Sequence, residues 1–347
     1  MAKKSKKQTK FPSELRLDVA SNDWVIIATG RAKRPEMFKK DKKESQRVLK
    51  KDCPFCKIET QESPVLIFSN GKRKEFATGD KIPKDWTTII IPNKYPAFTV
   101  GKLEKKMEGP YYQKINAVGF HEVVITKDHD KHLAILPENK VKEVIDVYQA
   151  RYLELMNKSF VNYIAIFHNH GPEAGASIYH PHSQLITTPL ADPDLKKALL
   201  NSGEYYKNNK KCIYCEMAKW EKNSKKRIVF ENKDFLVLCP FASKMAFQTI
   251  ITPKKHSSNF EKISESEKKY LAQAFKKALF KIYKGLGNPS YNFYLHTAPC
   301  DGKDYSFYHW HWTIIPKTAI HAGFELGVGM EISTIEPEKA AQYLKKQ

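Results

Sequence analysis

Arginine is scarce in this chain. Its 347 residues hold seven arginines against 52 lysines, although the formal net charge is +21. Arginine makes the bidentate contacts to phosphates and base edges, whereas lysine is a flexible point charge. Lysine spread along the whole chain reads as a solvated surface. No interleaved basic and aromatic cluster stands out, so a nucleic-acid partner is not expected. Long apolar runs are also missing. Stretches such as Ile89–Ile91 fall far short of the roughly 18 residues of a membrane span. The basic start, MAKKSKKQTK, is followed by no apolar segment. It reads as a disordered tail over 1–12 and not as a secretory leader. What remains, with 41% hydrophobic and 28% charged residues, is a soluble, cytoplasmic globular protein with a sizeable core.

Cysteine is sparse but patterned. Four of the six form two pairs, Cys53-Pro-Phe-Cys56 and Cys212-Ile-Tyr-Cys215. In a chain of this size such pairs indicate metal or redox chemistry rather than a disulfide framework. Cys239 and Cys300 read as buried thiols.

The two pairs open two similar halves. Strand-like runs at Trp24–Ala28, Thr87–Pro92 and Glu122–Thr126 alternate with helical spacing over Lys140–Val161 and Ser264–Gly285. Each half ends on an apolar run and a His-x-His, and His168, His180 and His182 align with His296, His309 and His311. The distance from His129 to His180 is 51 residues, and from His256 to His309 it is 53. Between cysteine pair and first histidine the spacings are 73 and 41, so the first half carries an insertion. The expectation is two copies of one α+β unit, over 13–195 and 205–342, with the polar stretch Asp192–Tyr206 at the boundary. Each copy has an antiparallel sheet with helices packed on a face.

The repeat predicts two Cys₂His₂ sets: Cys53, Cys56, His129 and His180, then Cys212, Cys215, His256 and His309. Two thiolates and two imidazoles suit tetrahedral zinc, and a four-ligand site is closed and structural. His121, His132, His168 and His170 compete for the first set, and His296 for the second.

The densest segment is NHGPEAGASIYHPHSQ, from Asn169 to Gln184. Gly175, Ala176 and Ser177 let backbone N–H groups approach a phosphate. Pro181 favours extended backbone before it, and alternation puts His182 and Gln184 on one side. A histidine beside phosphate-binding groups is a competent nucleophile at phosphorus near neutral pH. Gln184 then bonds a non-bridging oxygen, and Arg31 with Arg34 offsets phosphate charge.

These residues resemble a known family. HPHSQ after NHGPEAGAS is similar to the active-site segment of galactose-1-phosphate uridylyltransferases, a branch of the histidine-triad superfamily. DWVIIATGRAKRP, CPFC, GFHEVVITKDHDKHL, CPFASKMAFQTIITPKKHSSNFEKIS, HWHWTIIPK and GFELGVG follow in the family's order over roughly 13–342. The resemblance implies a tandem pair of histidine-triad-like α+β domains, usually a homodimer. It makes His182 the nucleotidylated nucleophile and Gln184 its stabiliser. It assigns substrate contacts to Arg31, Arg34, Asn169, Gly175, Ser177, Phe324 and Glu325. It matches both Cys₂His₂ sets to zinc, the second occurring in only part of the family. The implied reaction is ping-pong: UDP-glucose uridylylates His182, glucose 1-phosphate leaves, and galactose 1-phosphate departs as UDP-galactose.

Ser183 stands where the best-known members have glycine. Serine there, like the second cysteine pair, is shared with relatives that move adenylyl groups from ADP-glucose to phosphate. A nucleotide-sugar phosphorylase is therefore the enzyme alternative, and a zinc-stabilised nucleotide-binding protein the non-enzyme one. His311 is expected to lack a catalytic role, because CDGKDYSF before it has no Gly-Ala-Ser cradle.

Overall fold

In a computed structural model, residues 13–28, 35–38, 48–77 and 79–347 are described. The first half contributes strands β1 (Glu14–Asp18), β2 (Asp23–Ile27), β3 (Leu66–Ser69), β4 (Lys72–Lys74), β5 (Thr88–Pro92), β6 (Lys105–Glu108), β7 (Tyr112–Ile115) and β8 (His121–Thr126). Helix α1 (Glu138–Leu155), β9 (Tyr163–His170), β10 (His182–Thr188) and helix α2 (Pro193–Asn209) follow. The second half runs through α3 (Ile213–Ser224), β11 (Ile228–Glu231), β12 (Phe235–Leu238), β13 (Thr249–Pro253), α4 (Glu265–Leu286), β14 (Tyr291–His296) and β15 (His311–Pro316). It ends with α5 (Gly323–Val328), β16 (Ile332–Ser333) and α6 (Pro337–Lys345).

The repeat is realised as one continuous sheet. Its eleven described strands run β11-β12-β13-β15-β14-β9-β10-β8-β5-β3-β4, every neighbouring pair antiparallel. The halves join where β14 pairs β9, with Asn292 opposite Asn169 and Phe293 opposite His168. Across that seam β15 answers β10, β13 answers β8 and β12 answers β5. The hairpin β6–β7 lies between β5 and β8 and has no counterpart between β12 and β13. The connection that contains it is 28 residues long, against 10 between β12 and β13, and so supplies 18 of the 32 extra residues. β1, β2 and β16 form a separate three-stranded sheet.

Helices α1 and α4 cover one face of the sheet. Val141, Val144, Ile145, Tyr148, Tyr152 and Leu155 recur at helical spacing and are buried. In α4, Leu271, Phe275, Leu279 and Ile282 do the same, and a Ser264–Glu267 capping box starts the helix while Gly287 ends it in left-handed backbone. Both stripes enter one core cluster spanning the two halves.

Two expectations need correction, and the polar boundary stretch has regular structure of its own. Helix α1 stops at Leu155, six residues before the expected Val161, because backbone turns close from Lys158 to Leu155 and from Val161 to Lys158. The polar boundary stretch is helix α2. Asp192 caps it by accepting the Leu195 N–H, and Leu195 and Leu199 turn inward. The interval between the two expected units therefore lies inside a helix. The alignment of His168 with His296 is out by one residue. Ser183 pairs with His168, so the register sets Asn169 across from His182, whereas His296 pairs with His311. The counterpart of His296 is Asn169, and one residue is the difference between the two faces of a strand.

Candidate active site and metal clusters

Each Cys-x-x-C turn brings its sulfurs to two histidines. In the first cluster Cys53 Sγ lies 3.5 Å from His180 Nδ1 and Cys56 Sγ 3.2 Å from His129 Nδ1. In the second, Cys215 Sγ lies 3.3 Å from His256 Nδ1 and 3.4 Å from His309 Nδ1. The four donor atoms of either set lie within 4.8 Å of one another. The far nitrogens explain the ring orientations. His129 Nε2 meets the Val48 carbonyl at 2.7 Å and His180 Nε2 the Thr126 carbonyl at 2.7 Å. His256 and His309 meet the carbonyls of Ser306 and Pro253 in the same way. A carbonyl only accepts, so Nε2 carries the proton and Nδ1 keeps its lone pair for a cation.

Burial, with the Cys53 sulfur beside it, raises the Cys56 thiol to about 11. A bound divalent cation would supply the charge that turns such thiols into thiolates at neutral pH. Both clusters can hold a metal ion. Among the competing histidines, none enters a cluster: His121 lies against Gln184, His132, His168 and His170 form a ring stack with Tyr291, and His296 stacks on His311 at 4.6 Å.

The first cluster leads directly into β10. His180 is buried beside the sulfurs, Pro181 follows, and His182 opens the strand. The His182 ring is also buried, at 8% exposure. Its Nδ1 donates to the His180 carbonyl oxygen at 2.9 Å. That bond fixes the tautomer and leaves the Nε2 lone pair as the reactive end. Burial lowers the imidazole below its ordinary value, so the ring is neutral at neutral pH. Phe55, between the two cysteines, packs edge-on against it at 5.1 Å.

Gln184 is two residues along β10, on the same face. Its Oε1 lies 2.7 Å from His121 Nε2. Ser183 points the other way. Its hydroxyl bonds Tyr148 and His168 Nδ1 on the helix-covered side, away from His182. Asn169 accepts from Asn292 at 2.8 Å. Gly175 adopts φ +84°, with only the Asn169 amide near where a Cβ would stand. Its positive φ forms the turn before the exposed Ser177. The sequence placed these residues on one segment. The sheet brings Asn169 to the strand beside His182.

The second half repeats the local arrangement. His311 opens β15 and its Nδ1 donates to the His309 carbonyl at 3.2 Å. Tyr214, also between two cysteines, packs on it at 5.6 Å. His311 faces a cavity of about 1270 Å³ also lined by Lys244, Tyr294, His296 and Thr313.

Comparison with known proteins agrees with this geometry. Residues 3–191 match the family described as galactose-1-phosphate uridyl transferase, N-terminal domain, and residues 199–346 match its C-terminal domain. The chain belongs to the galactose-1-phosphate uridyl transferase family. It is 32% identical to an ADP-glucose phosphorylase of Arabidopsis thaliana, over 96% of this chain and 92% of that one. It is 28% identical to a galactose-1-phosphate uridylyltransferase of Thermotoga maritima, over 96% and 98%. A crystal structure of an Arabidopsis thaliana ADP-glucose phosphorylase with bound ADP-glucose superposes with a TM-score of 0.78 at 28% identity, covering 96% of this chain and 99% of that one.

Other family positions lie elsewhere. Arg31, Arg34 and the tail 1–12 are outside the described residues. Phe324 and Glu325 sit on the short surface helix α5, near the three-stranded sheet, and the Glu325 carboxylate accepts the Ala322 N–H at 3.0 Å. Cys239 is buried as expected, whereas Cys300, expected to be buried too, is half-buried. No helix among the described residues is long and apolar enough to cross a membrane. The sequence reading missed two groups at the site. Phe55 was visible only as the aromatic residue inside CPFC. His121 reads from the sequence as a competing metal ligand, and only the pairing of β8 with β10 sets it on the Gln184 side.

Proposed function

We propose that the protein is a nucleotidyltransferase that takes a nucleoside monophosphate from a nucleotide sugar onto His182. The observation that carries this reading is the 2.9 Å bond from His182 Nδ1 to the His180 carbonyl, which leaves Nε2 as a neutral nucleophile. Nε2 attacks the α-phosphorus, an N–P bond forms, and the bond from phosphorus to the bridging oxygen breaks. Hexose 1-phosphate leaves with the electron pair. The ring becomes cationic, and the Nδ1–H···O=C bond strengthens as that charge develops. An acceptor oxyanion then attacks phosphorus, the N–P bond breaks, and its electrons return to Nε2. Gln184 offers its amide to a non-bridging oxygen, and Asn169, Gly175 and Ser177 line the approach. Arg31 and Arg34 are assigned to the phosphates.

The two Cys₂His₂ clusters fit zinc by donor set and tautomer. Cys53, Cys56, His129 and His180 would hold one ion, and Cys212, Cys215, His256 and His309 the other. Zinc there would fix the chain that carries His182. Phe324 and Glu325 are assigned to substrate contact, and a homodimer is the assembly this reading takes. The units 13–195 and 205–342 are read as two histidine-triad-like modules, of which only the first keeps the nucleophile.

Two donor and acceptor pairs suit this chemistry. UDP-glucose with galactose 1-phosphate, the uridylyltransferase reaction of galactose metabolism, follows from the family and the Thermotoga maritima relative. ADP-glucose with inorganic phosphate is favoured by the 32% identity to an ADP-glucose phosphorylase. Adduct formation with each nucleotide sugar, followed by discharge with each acceptor, tests the proposal and separates the pairs.

A further inference from the structure

His121 stands on β8 and Gln184 on β10, two neighbouring strands in which His121 pairs with Ile186. Gln184 is therefore its diagonal neighbour on the same face, within reach of a long side chain. The contact is 2.7 Å, from His121 Nε2 to Gln184 Oε1. In a side-chain amide, oxygen and nitrogen are interchangeable by shape, and only partners decide which end goes where.

The partners here decide it. The backbone N–H of Ala97 points at His121 Nδ1 at 3.0 Å. A backbone N–H can only donate, so Nδ1 must be the unprotonated nitrogen. A neutral imidazole then carries its proton on Nε2. Asn93 also approaches Nε2, at 3.0 Å, but with its amide nitrogen. Its oxygen is held by the Tyr95 N–H at 2.9 Å. Asn93 therefore offers no acceptor to His121. The Nε2 proton goes to Gln184, which must present its oxygen.

We infer that His121 is a positioning residue that fixes the orientation of the Gln184 amide. With Oε1 tied to His121, the amide nitrogen is the end left for a ligand, and that end only donates. A phosphoryl oxygen on His182 needs donors. The reversed amide would set an oxygen against an oxyanion. The chain of constraint runs from the Ala97 N–H through both nitrogens of His121 to the far end of Gln184. None of these groups is a metal ligand. This inference rests on the reading of His182 as the nucleotidylated residue.

The test uses the full-length, metal-loaded protein and the nucleotide sugar, UDP-glucose or ADP-glucose, that labels the wild type. His121→Phe removes the donor while keeping a ring. It should slow single-turnover labelling of His182 by about 10- to 100-fold, with half-saturating nucleotide sugar shifted much less. His121→Gln restores an N–H near the position of Nε2 and should recover most of the rate. His121→Phe combined with Gln184→Ala should be no slower than Gln184→Ala alone. Nitrogen-15 NMR of the resting protein should show His121 protonated at Nε2.

An additive double variant, an unchanged rate in His121→Phe, or an Nδ1–H tautomer overturns the inference while leaving the function reading intact. A wild type that forms no adduct with either nucleotide sugar overturns the function reading and the catalytic part of this one. The NMR result then stands as the separate test of orientation. Metal content and thermal midpoint of each variant identify one that has merely misfolded, in which case His121→Gln and the NMR measurement decide.

Discussion

The Nδ1–H of His182 is held by the carbonyl of His180, 2.9 Å away, and the same His180 turns its own Nδ1 to the sulfurs of Cys53 and Cys56. Two residues thus join a cluster that can hold a metal ion to the proposed nucleophile through one peptide carbonyl. Loss of the ion should be felt at His182 without any direct contact between them.

Metal removal tests that link. The second cluster includes the exposed His256, whereas Cys53, His129 and His180 of the first are buried. A chelator should strip the second ion first, with little loss of labelling at His182. Loss of the first ion should lower the thermal midpoint and end labelling together. Metal analysis alongside intact mass during chelation follows both, and the reverse order would contradict the burial argument.

Ser183 carries part of the sequence-based expectation of an ADP-glucose donor, yet its hydroxyl bonds Tyr148 and His168 beneath the sheet. Ser183→Ala leaves two buried polar groups without this partner and should cost about 1–3 kcal/mol of stability. It should not change the ratio of labelling rates from UDP-glucose and ADP-glucose. Denaturant melts and paired labelling assays measure the two effects. A switched preference would show that the residue acts on the donor after all.

His311 shares the tautomer of His182 but not its surroundings. His296 stacks on it where Asn169 stands in the first half. His311→Gln should label at His182 as the wild type does. A variant with no covalent labelling at His182 would count against the reading of this half as non-catalytic.

Burial depresses two histidines behind the site. His132 is lowered to about 3, by burial and then by His170, and His168 falls well below its ordinary value for the same first reason. Both are neutral in the folded protein, and both are protonated below about pH 6.5 once unfolded. The unfolded state therefore binds more protons there. Stability should fall as pH drops from about 6.5 towards 3, by about 1.4 kcal/mol per pH unit for each histidine. Denaturant midpoints across that range should flatten in His132→Phe by one such contribution. An unchanged slope would place the charge elsewhere.

The metal sets were legible because cysteine pairs and their histidines recur at matching spacing, and folding gathers all eight residues. The His182–Gln184 pair was legible because strand alternation is local. Other features were not. The repeat alignment slipped between His168 and Asn169, since motif letters match histidine to histidine while hydrogen-bond register matches face to face. Helix α2 was hidden because a polar segment shows only a narrow apolar stripe, Leu195 and Leu199. The link from His121 to Gln184 depends on which strands become neighbours, and tertiary pairing alone decides that.

The most direct measurement is intact mass of the protein after incubation with UDP-glucose and, separately, ADP-glucose, without acid treatment. The account predicts an adduct of one nucleoside monophosphate from one of the two, absent in His182→Ala and discharged by galactose 1-phosphate or by inorganic phosphate. Metal-loaded protein that takes up no nucleotide from either, or an adduct that survives in His182→Ala, would contradict it.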